Sequence, residues 1–389
     1  MLQLPIYLDH NATTPCDPRV VEAMLPYFTN QFGNASSRNH SFGWQAEEAV
    51  EYAREQLAKL IGAEPKEIIF ASGATEADNL ALKGVFDMYS GKGNHIITSV
   101  TEHKAVLDTC KHLEKMGAEV TYLPVHADGL IDLKELEAAI KPTTILIAIM
   151  YANNEIGVIQ PVTEISKIAR SHTVLFFTDA TQAAGKLHID VNNDGIDLMA
   201  FSAHKMYGPK GVGALYIRRK NPRVKVTAQI DGGGHERGVR SGTLNVPGIV
   251  GFGKACELCM QEMEIDNKRI AALRDKLENA LLKVEGSHVN GSKQYRLPNV
   301  SNISFSYVEG EGLITGFNKD IAVSSGSACT SASLEPSYVL KALGLDDDLA
   351  RSSVRFSLGR NTTEEEIDYA IEQVSQTVAR LKEMNSLKM

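Results

Sequence analysis

The sequence predicts an α/β protein: a mostly parallel central sheet with helices on both faces, followed by a smaller α/β C-terminal domain. Three observations point there. Between about Ala12 and Ala255, short apolar runs alternate with stretches long enough for a helix, which is the rhythm of a parallel sheet. The chain has 389 residues, beyond the size at which one core usually stops growing, so two domains are expected. Near Pro247 the alternation gives way to a long helical periodicity.

In chain order, the candidate strands of the first part are Ile68–Ala71, His95–Thr98, Val120–Pro124, Thr144–Met150, Val174–Thr178, Asp197–Phe201 and Gly213–Ile217. Ligands of such sheets bind beyond the carboxyl ends of the strands, so the residues after each strand are the ones to inspect. From Pro247 to Val284, Ile249, Phe252, Cys256, Met260 and Met263 fall on one side, and Leu273, Leu277 and Leu281 continue the pattern. This reads as a long helix, whole or broken, leading out of the large domain. Asn302–Tyr307 and Val354–Ser357 read as strands of the smaller unit. Thr363-Glu-Glu-Glu366 is a capping box opening a final helix, whose Ile367, Ile371, Val374, Val378 and Leu381 recur at helical spacing. The expected division is 15–260 for the large domain, with 1–14 joining 261–389 in the small one.

Composition narrows the function. Hydrophobic residues make up 43% and charged residues 23%, ordinary for a soluble globular protein. A net charge of -8 argues against duplex binding, which needs a basic face. Arg218-Arg219-Lys220 reads as a solvated edge. The N-terminus lacks the basic and apolar regions of a secretory signal, and no apolar run is long enough to span a bilayer. Five cysteines without a framework spacing suit a reducing cytosol, so the expected location is cytoplasmic.

Four strand ends carry chemical groups. Ser72-Gly-Ala-Thr75-Glu76 is a small turn entering a helix, where backbone N–H groups can face an anion; most such turns are plain helix caps. His103 follows the strand Ile96-Ile-Thr98, in Val100-Thr-Glu-His103, and a lone His is more often structural. Asp179 ends Val174-Leu-Phe-Phe-Thr178 and needs a cationic partner, either a ring nitrogen or a Lys or Arg. Lys205, in Ser202-Ala-His-Lys205, can form a Schiff base with a carbonyl cofactor, although any single Lys is usually a surface residue. The combination is more telling than its parts. An anion turn, a ring cover, a buried Asp and a Lys on one sheet edge are the set that pyridoxal phosphate requires.

Longer motifs bring in a family. Thr178-Asp-Ala-Thr-Gln182, Ser202-Ala-His-Lys-Met-Tyr-Gly-Pro-Lys-Gly211, Gly232-Gly-Gly-His-Glu-Arg-Gly-Val-Arg-Ser-Gly-Thr243 and Ser324-Ser-Gly-Ser-Ala-Cys-Thr-Ser-Ala-Ser-Leu-Glu-Pro-Ser337 resemble those of cysteine desulfurases of the IscS/NifS type. The resemblance runs from Tyr7-Leu-Asp-His-Asn-Ala-Thr-Thr-Pro15 to about Leu381. It implies a class V aminotransferase-like, fold-type-I pyridoxal 5'-phosphate enzyme, acting as a homodimer on L-cysteine. By motif, Lys205 is the Schiff-base lysine, Asp179 faces the pyridine nitrogen, His103 stacks on the ring and moves protons, and Gln182 reaches the 3′ oxygen. Ala74, Thr75, Ser202 and His204 hold the phosphate, joined by Thr243 of the neighbouring subunit, and Ala203 is a further cofactor-binding residue. Asn154 lies near cofactor and substrate, and Arg355 is the clamp for the substrate carboxylate, a role that suits its planar fork.

The resemblance also implies that Cys329 takes the sulfur as a persulfide and passes it to an iron–sulfur scaffold or another acceptor protein, itself serving as a transient cluster ligand. Its neighbours Ser324, Ser325, Gly326, Ser327, Thr330, Ser331 and Ser333 read as a mobile exposed loop. Cys256 and Cys259 form a Cys-x-x-Cys pair but fall within the helical pattern, and helix packing is the better reading. Cys16 and Cys110 have no supporting neighbours. His235, Arg237 and Arg240 suggest anion contact by the Gly-rich run before Thr243.

Two departures stand out. The sequence stops at Leu387-Lys-Met389, where housekeeping members extend into a tail that helps dock the scaffold, so that contact is not expected here. Gly316-Phe-Asn-Lys319 is altered from the usual pattern, without a functional account. The rival readings are a selenocysteine lyase, an aminotransferase with no use for Cys329, and a non-catalytic assembly protein that binds no cofactor.

Overall fold

The computed structural model describes residues 2–325 and 335–386. Its strands, in chain order, are β1 (Ile6–Tyr7), β2 (Ile68–Ala71), β3 (His95–Ser99), β4 (Glu119–Leu123), β5 (Thr144–Ala148), β6 (Leu175–Asp179), β7 (Leu198–Ser202), β8 (Gly213–Ile217), β9 (Ser287–Val289), β10 (Val300–Phe305), β11 (Ile321–Ala322), β12 (Ser324–Ser325) and β13 (Ser353–Ser357). Each of the seven strands expected before residue 220 is present, with ends shifted by two residues at most. They form one sheet in the order β2-β8-β7-β6-β5-β3-β4. The pairs β3–β4, β3–β5, β5–β6 and β6–β7 are parallel, whereas β8 runs antiparallel to both β2 and β7.

Period-two alternation sends successive side chains to opposite faces, and both faces are apolar. Phe70, Ile97, Ile147, Phe176, Met199, Phe201 and Tyr216 belong to one buried cluster, shared with Leu57 and Phe252 from the helices Ser41–Leu60 and Val246–Leu281. Ile69, Ile96, Leu146, Phe177, Leu198, Leu215 and Ile217 belong to the other, shared with Leu82 and Val106 from Ala74–Tyr89 and Lys104–Lys115. At about 1.5–3 kcal/mol for each fully buried large side chain, this double-sided burial is the main force holding the sheet between its helix layers.

The helix Val246–Leu281 is continuous over 36 residues. Its far end joins a third apolar cluster containing Ile6, Leu8, Leu277, Ile303, Phe305, Leu313, Phe356, Ile367 and Val374. There β12-β13-β10-β9 form an antiparallel sheet, and β1 pairs in parallel with β11. The capping box is formed: Thr363 N donates to Glu366 Oε2 at 2.7 Å, and Glu366 N donates to Thr363 Oγ1 at 3.2 Å, at the start of Glu364–Ser386. Gly316 packs against this helix so closely that a Cβ would lie 2.4 Å from Thr377 Cγ2, a packing reason for a small residue there.

Arg218 departs from the solvated edge expected of it. It is buried, donates to Val191 O and Ile196 O, and lies 3.2 Å from Asp197. Lys220 pairs with Glu64 at 2.9 Å. Among the described residues, no helix is long and apolar enough to cross a membrane.

Candidate active site

The four chemical strand ends open on one edge. β2 leads through Ser72 and Gly73 into Ala74–Tyr89; β3 leads to His103, the N-cap of Lys104–Lys115; β6 ends on Asp179; β7 passes from Ser202 into the single turn Ala203–Lys205. β8 starts beside them, because Gly213 pairs with both Ala71 and Ser202. A Cβ on Gly213 would lie 2.6 Å from the Gly73 carbonyl carbon, so only glycine lets the two turns approach this closely. Together with Asn11, Ala12, Thr13, Asn154, Gln182 and Arg355, these turns line one cavity of about 590 Å³.

Lys205 Nζ donates to Asn11 O at 2.6 Å and Ala12 O at 2.7 Å. Asp179 is buried, and its Oδ1 accepts from Thr181 N at 2.9 Å, which leaves Oδ2 for a cationic partner. His103 Nδ1 accepts from Ala105 N at 3.1 Å, so the neutral ring carries its proton on Nε2. Burial lowers the His103 pKa; the Asp179 charge opposes that fall and the Lys205 charge adds to it. His204, whose Nδ1 is 3.1 Å from Thr13 Oγ1, is pushed down to about 4, first by burial and then by Lys205. Both imidazoles are therefore neutral at pH 7.

Arg355, almost fully buried in β13, is aimed by three contacts. Its Nη1 donates to Asn154 O at 3.1 Å, and its Nη2 donates to Asp9 Oδ1 at 2.7 Å and to Ser324 Oγ at 3.0 Å. The strand register sets Ser324 opposite Arg355.

The cavity gathers most of the expected residues: Ala74, Thr75, His103, Asn154, Asp179, Gln182, Ser202, His204, Lys205 and Arg355 all line it. Two do not. Ala203 is buried, with its N–H given to Val212 O at 3.2 Å, and Thr243 is exposed on a segment away from this cavity. Cys329 lies outside the described residues. Arg240 is committed to Glu76 at 2.7 Å, which corrects the expectation of a free anion contact, while Arg237 donates to Ile68 O at 3.4 Å. Cys256 and Cys259 are buried in the long helix, and burial pushes the Cys259 thiol up to about 11. Residue-by-residue reasoning missed Asn11, Asp78, Thr181 and Lys210 as lining groups. Only the Tyr7–Pro15 motif hinted at the first.

The lining fits pyridoxal phosphate. At the entry to Ala74–Tyr89 the N-cap Gly73 has no side-chain cap, and a Cβ on it would meet no atom within 4 Å, an open cradle at a helix N-terminus. Several buried lining atoms have no hydrogen-bond partner among the described residues: both carboxyl oxygens of Asp78, Asn154 Oδ1, Thr181 Oγ1 and Arg355 Nε. Such atoms suit a polar, charged ligand better than an apolar one. Burial, with the charges of Asp179 and Glu102, holds Asp78 well above the usual carboxylate range.

Comparison with known proteins gives a consistent answer. The family model described as Aminotransferase class-V matches residues 6–370. "Cysteine desulfurase IscS" of Pectobacterium carotovorum subsp. carotovorum (strain PC1) is 59% identical over 388 residues, 99% of this chain and 96% of that protein. Among solved structures, one described as "NIFS-LIKE PROTEIN" superposes with a TM-score of 0.90 at 39% identity, covering 97% of this chain and all of the other. "SspA in complex with cysteine" superposes with a TM-score of 0.81 at 38% identity, covering 92% of this chain and 100% of that one.

Proposed function

The chain belongs to the aminotransferase class-V family, and we propose that within it the protein moves the sulfur of L-cysteine onto Cys329 and releases L-alanine. It is a pyridoxal-phosphate-dependent cysteine desulfurase. The observation that carries the residue assignment is the convergence of Lys205, Asp179, His103 and Arg355 on one cavity.

When bound, the cofactor supplies an electron sink that acidifies the substrate Cα. Lys205 is the amine that would hold it and, once displaced, would act as a base beside the substrate. Asp179, kept buried with Oδ1 occupied by Thr181 N, would hold the proton of the ring nitrogen, and His103, with its proton on Nε2, would be a donor to the cofactor. Arg355 and Asn154 hold the substrate carboxylate. Cys329, as a thiolate, bonds to the substrate sulfur. The C–S bonding pair stays with the substrate carbon, which takes a proton and leaves as alanine; the sulfur remains on Cys329 as a persulfide.

Support for Cys329 comes from the two stems of its segment, which are rooted at the cavity. Ser324 Oγ contacts Arg355 and Asp9, and Tyr338 OH donates to Glu102 O at 2.7 Å, next to His103. Replacing Cys329 by Ala should abolish sulfide release while the purified protein keeps the cofactor's colour; undiminished sulfide output would refute the assignment. Lys205→Ala should lose the colour.

The partner is a second copy of the chain. Leu25, Phe28, Phe32, Trp44 and Tyr52, in and between the N-terminal helices, are each more than half exposed, and Thr243 is exposed, as a residue completing a neighbour's site must be. Light scattering should give the mass of a dimer. The third apolar cluster, which takes in Ile6 and Leu8, supports residues 1–14 and 261–389 as the small domain and 15–260 as the large one. The four described cysteines are free thiols, which supports a cytoplasmic location. The acceptors of the sulfur are iron–sulfur scaffold or other sulfur-carrying proteins, tested by persulfide transfer from Cys329.

A further inference from the structure

Lys186 is buried behind Gln182, and its only described acceptors are neutral. Its Nζ donates to Gln182 O at 3.2 Å and to Gln182 Oε1 at 3.1 Å. A charged lysine carries only donors and the Asn11 carbonyl only accepts, so the two together set which end of the Gln182 amide faces Lys186. At the other end, Gln182 Nε2 donates to Asn11 O at 2.9 Å, the same carbonyl that accepts from Lys205 Nζ. One N–H of Nε2 is then left for a ligand in the cavity that Gln182 lines. The backbone of Lys186 is fixed as well: its N–H bonds to Ala183 O at 3.0 Å, and its carbonyl accepts from Asn267 Nδ2 at 2.6 Å, from the long helix.

We propose that Lys186 is a positioning residue: by holding Gln182 Oε1 from below, it makes the amide a fixed hydrogen-bond donor to the oxygen-rich edge of the bound cofactor. The inference rests on the reading of this cavity as a pyridoxal-phosphate site and deepens it.

A buried lysine with no carboxylate partner is costly to keep, which argues against a mere space-filler. Burial, then Lys205, and then Arg355 push it down to about 7, with Cys259 opposing. His10 and His204, the other titratable groups that feel it, are both held neutral at pH 7 by burial. Donation to Gln182 does not require the charge, because a neutral amine still has two N–H groups.

A double-mutant cycle on the reconstituted holoenzyme tests this. The readout is the pH midpoint of the cofactor's visible band, and the colour of the wild-type protein reports separately on the cofactor reading. Lys186→Met and Gln182→Leu should each raise the midpoint by about half a unit, and the double variant should go no further than Gln182→Leu. Lys186→Gln, which keeps a donor but loses the charge, should stay at the wild-type midpoint. Additive shifts in the double variant, or a wild-type midpoint in Lys186→Met, would overturn the proposal. Should Lys186→Met not fold, the double variant, which removes both partners of the buried bond, and Lys186→Gln carry the test. A Lys186→Gln midpoint equal to that of Gln182→Leu would then refute it.

Discussion

Replacing Arg355 by Gln should damage substrate binding far more than cofactor binding. The guanidinium is 2% exposed and is aimed by Asn154 O, Asp9 Oδ1 and Ser324 Oγ at 3.1, 2.7 and 3.0 Å. A buried fork of this kind gives a carboxylate two charge-assisted bonds, each worth about 1.5–3 kcal/mol. Losing both costs about 3–6 kcal/mol, or roughly 10²–10⁴-fold in kcat/KM for cysteine. The loss should appear in KM, because the carboxylate is bound alike before and during reaction. The partner left behind, Asp9, retains some exposure and can be hydrated, so stability should fall by only about 1–2 kcal/mol, below the cost of breaking a fully buried pair. Alanine formation against cysteine concentration measures the first effect and a thermal melt the second. Cysteamine, which lacks the carboxylate, supplies the control. Its binding, followed by the cofactor's spectrum, should be the same in variant and wild type. An unchanged KM for cysteine, or an equal loss for cysteamine, would refute Arg355 as the clamp.

Three further outcomes follow from the geometry. Glu155 is buried, and burial pushes it up to about 7 despite the Ser337 hydroxyl, which donates to it at 2.5 Å. Between an ordinary value near 4.5 and about 7 the folded state holds the extra proton, so stability is full below that window and is lost as pH rises through it. Glu155→Gln should remove roughly 3 kcal/mol of that pH dependence, read from urea melts at pH 5 and pH 8 against wild type. In a Cys329→Ala background, iodoacetamide at pH 8 should spare Cys110, Cys256 and Cys259, which are buried with raised thiol pKa values, and reach Cys16 at most; mass-spectrometric detection of label at Cys256 would contradict the structure. Thr363→Ala should cost about 1 kcal/mol in a thermal melt by removing half of the capping box, with kcat unchanged.

Much of the large sheet was legible because each strand is a short apolar run bounded by turns. With both faces buried, such runs are near-continuous in hydrophobicity and easy to find. Their pairing was less so. The antiparallel placement of β8 between β2 and β7 leaves no local mark in Gly213–Ile217. Arg218 shows the same limit. Beside Arg219 and Lys220 it reads as surface charge, and only the fold brings the Val191 and Ile196 carbonyls and Asp197 around it.

By itself the sequence determined the elements and the chemistry at their ends. Lys205, Asp179 and His103 follow strands, and the carboxyl ends of parallel strands face one way. The tertiary structure decided what completes the cavity. Asn11, carried by the N-terminal segment, accepts from Lys205 across 194 positions, and Arg355 reaches Asp9 across 346. Lys186 looks like any lysine four residues beyond Gln182 until packing takes it out of water. Local spacing encodes periodicity, and therefore strands and helices. Contacts between distant segments depend on how whole layers pack, and no short stretch of residues carries that information.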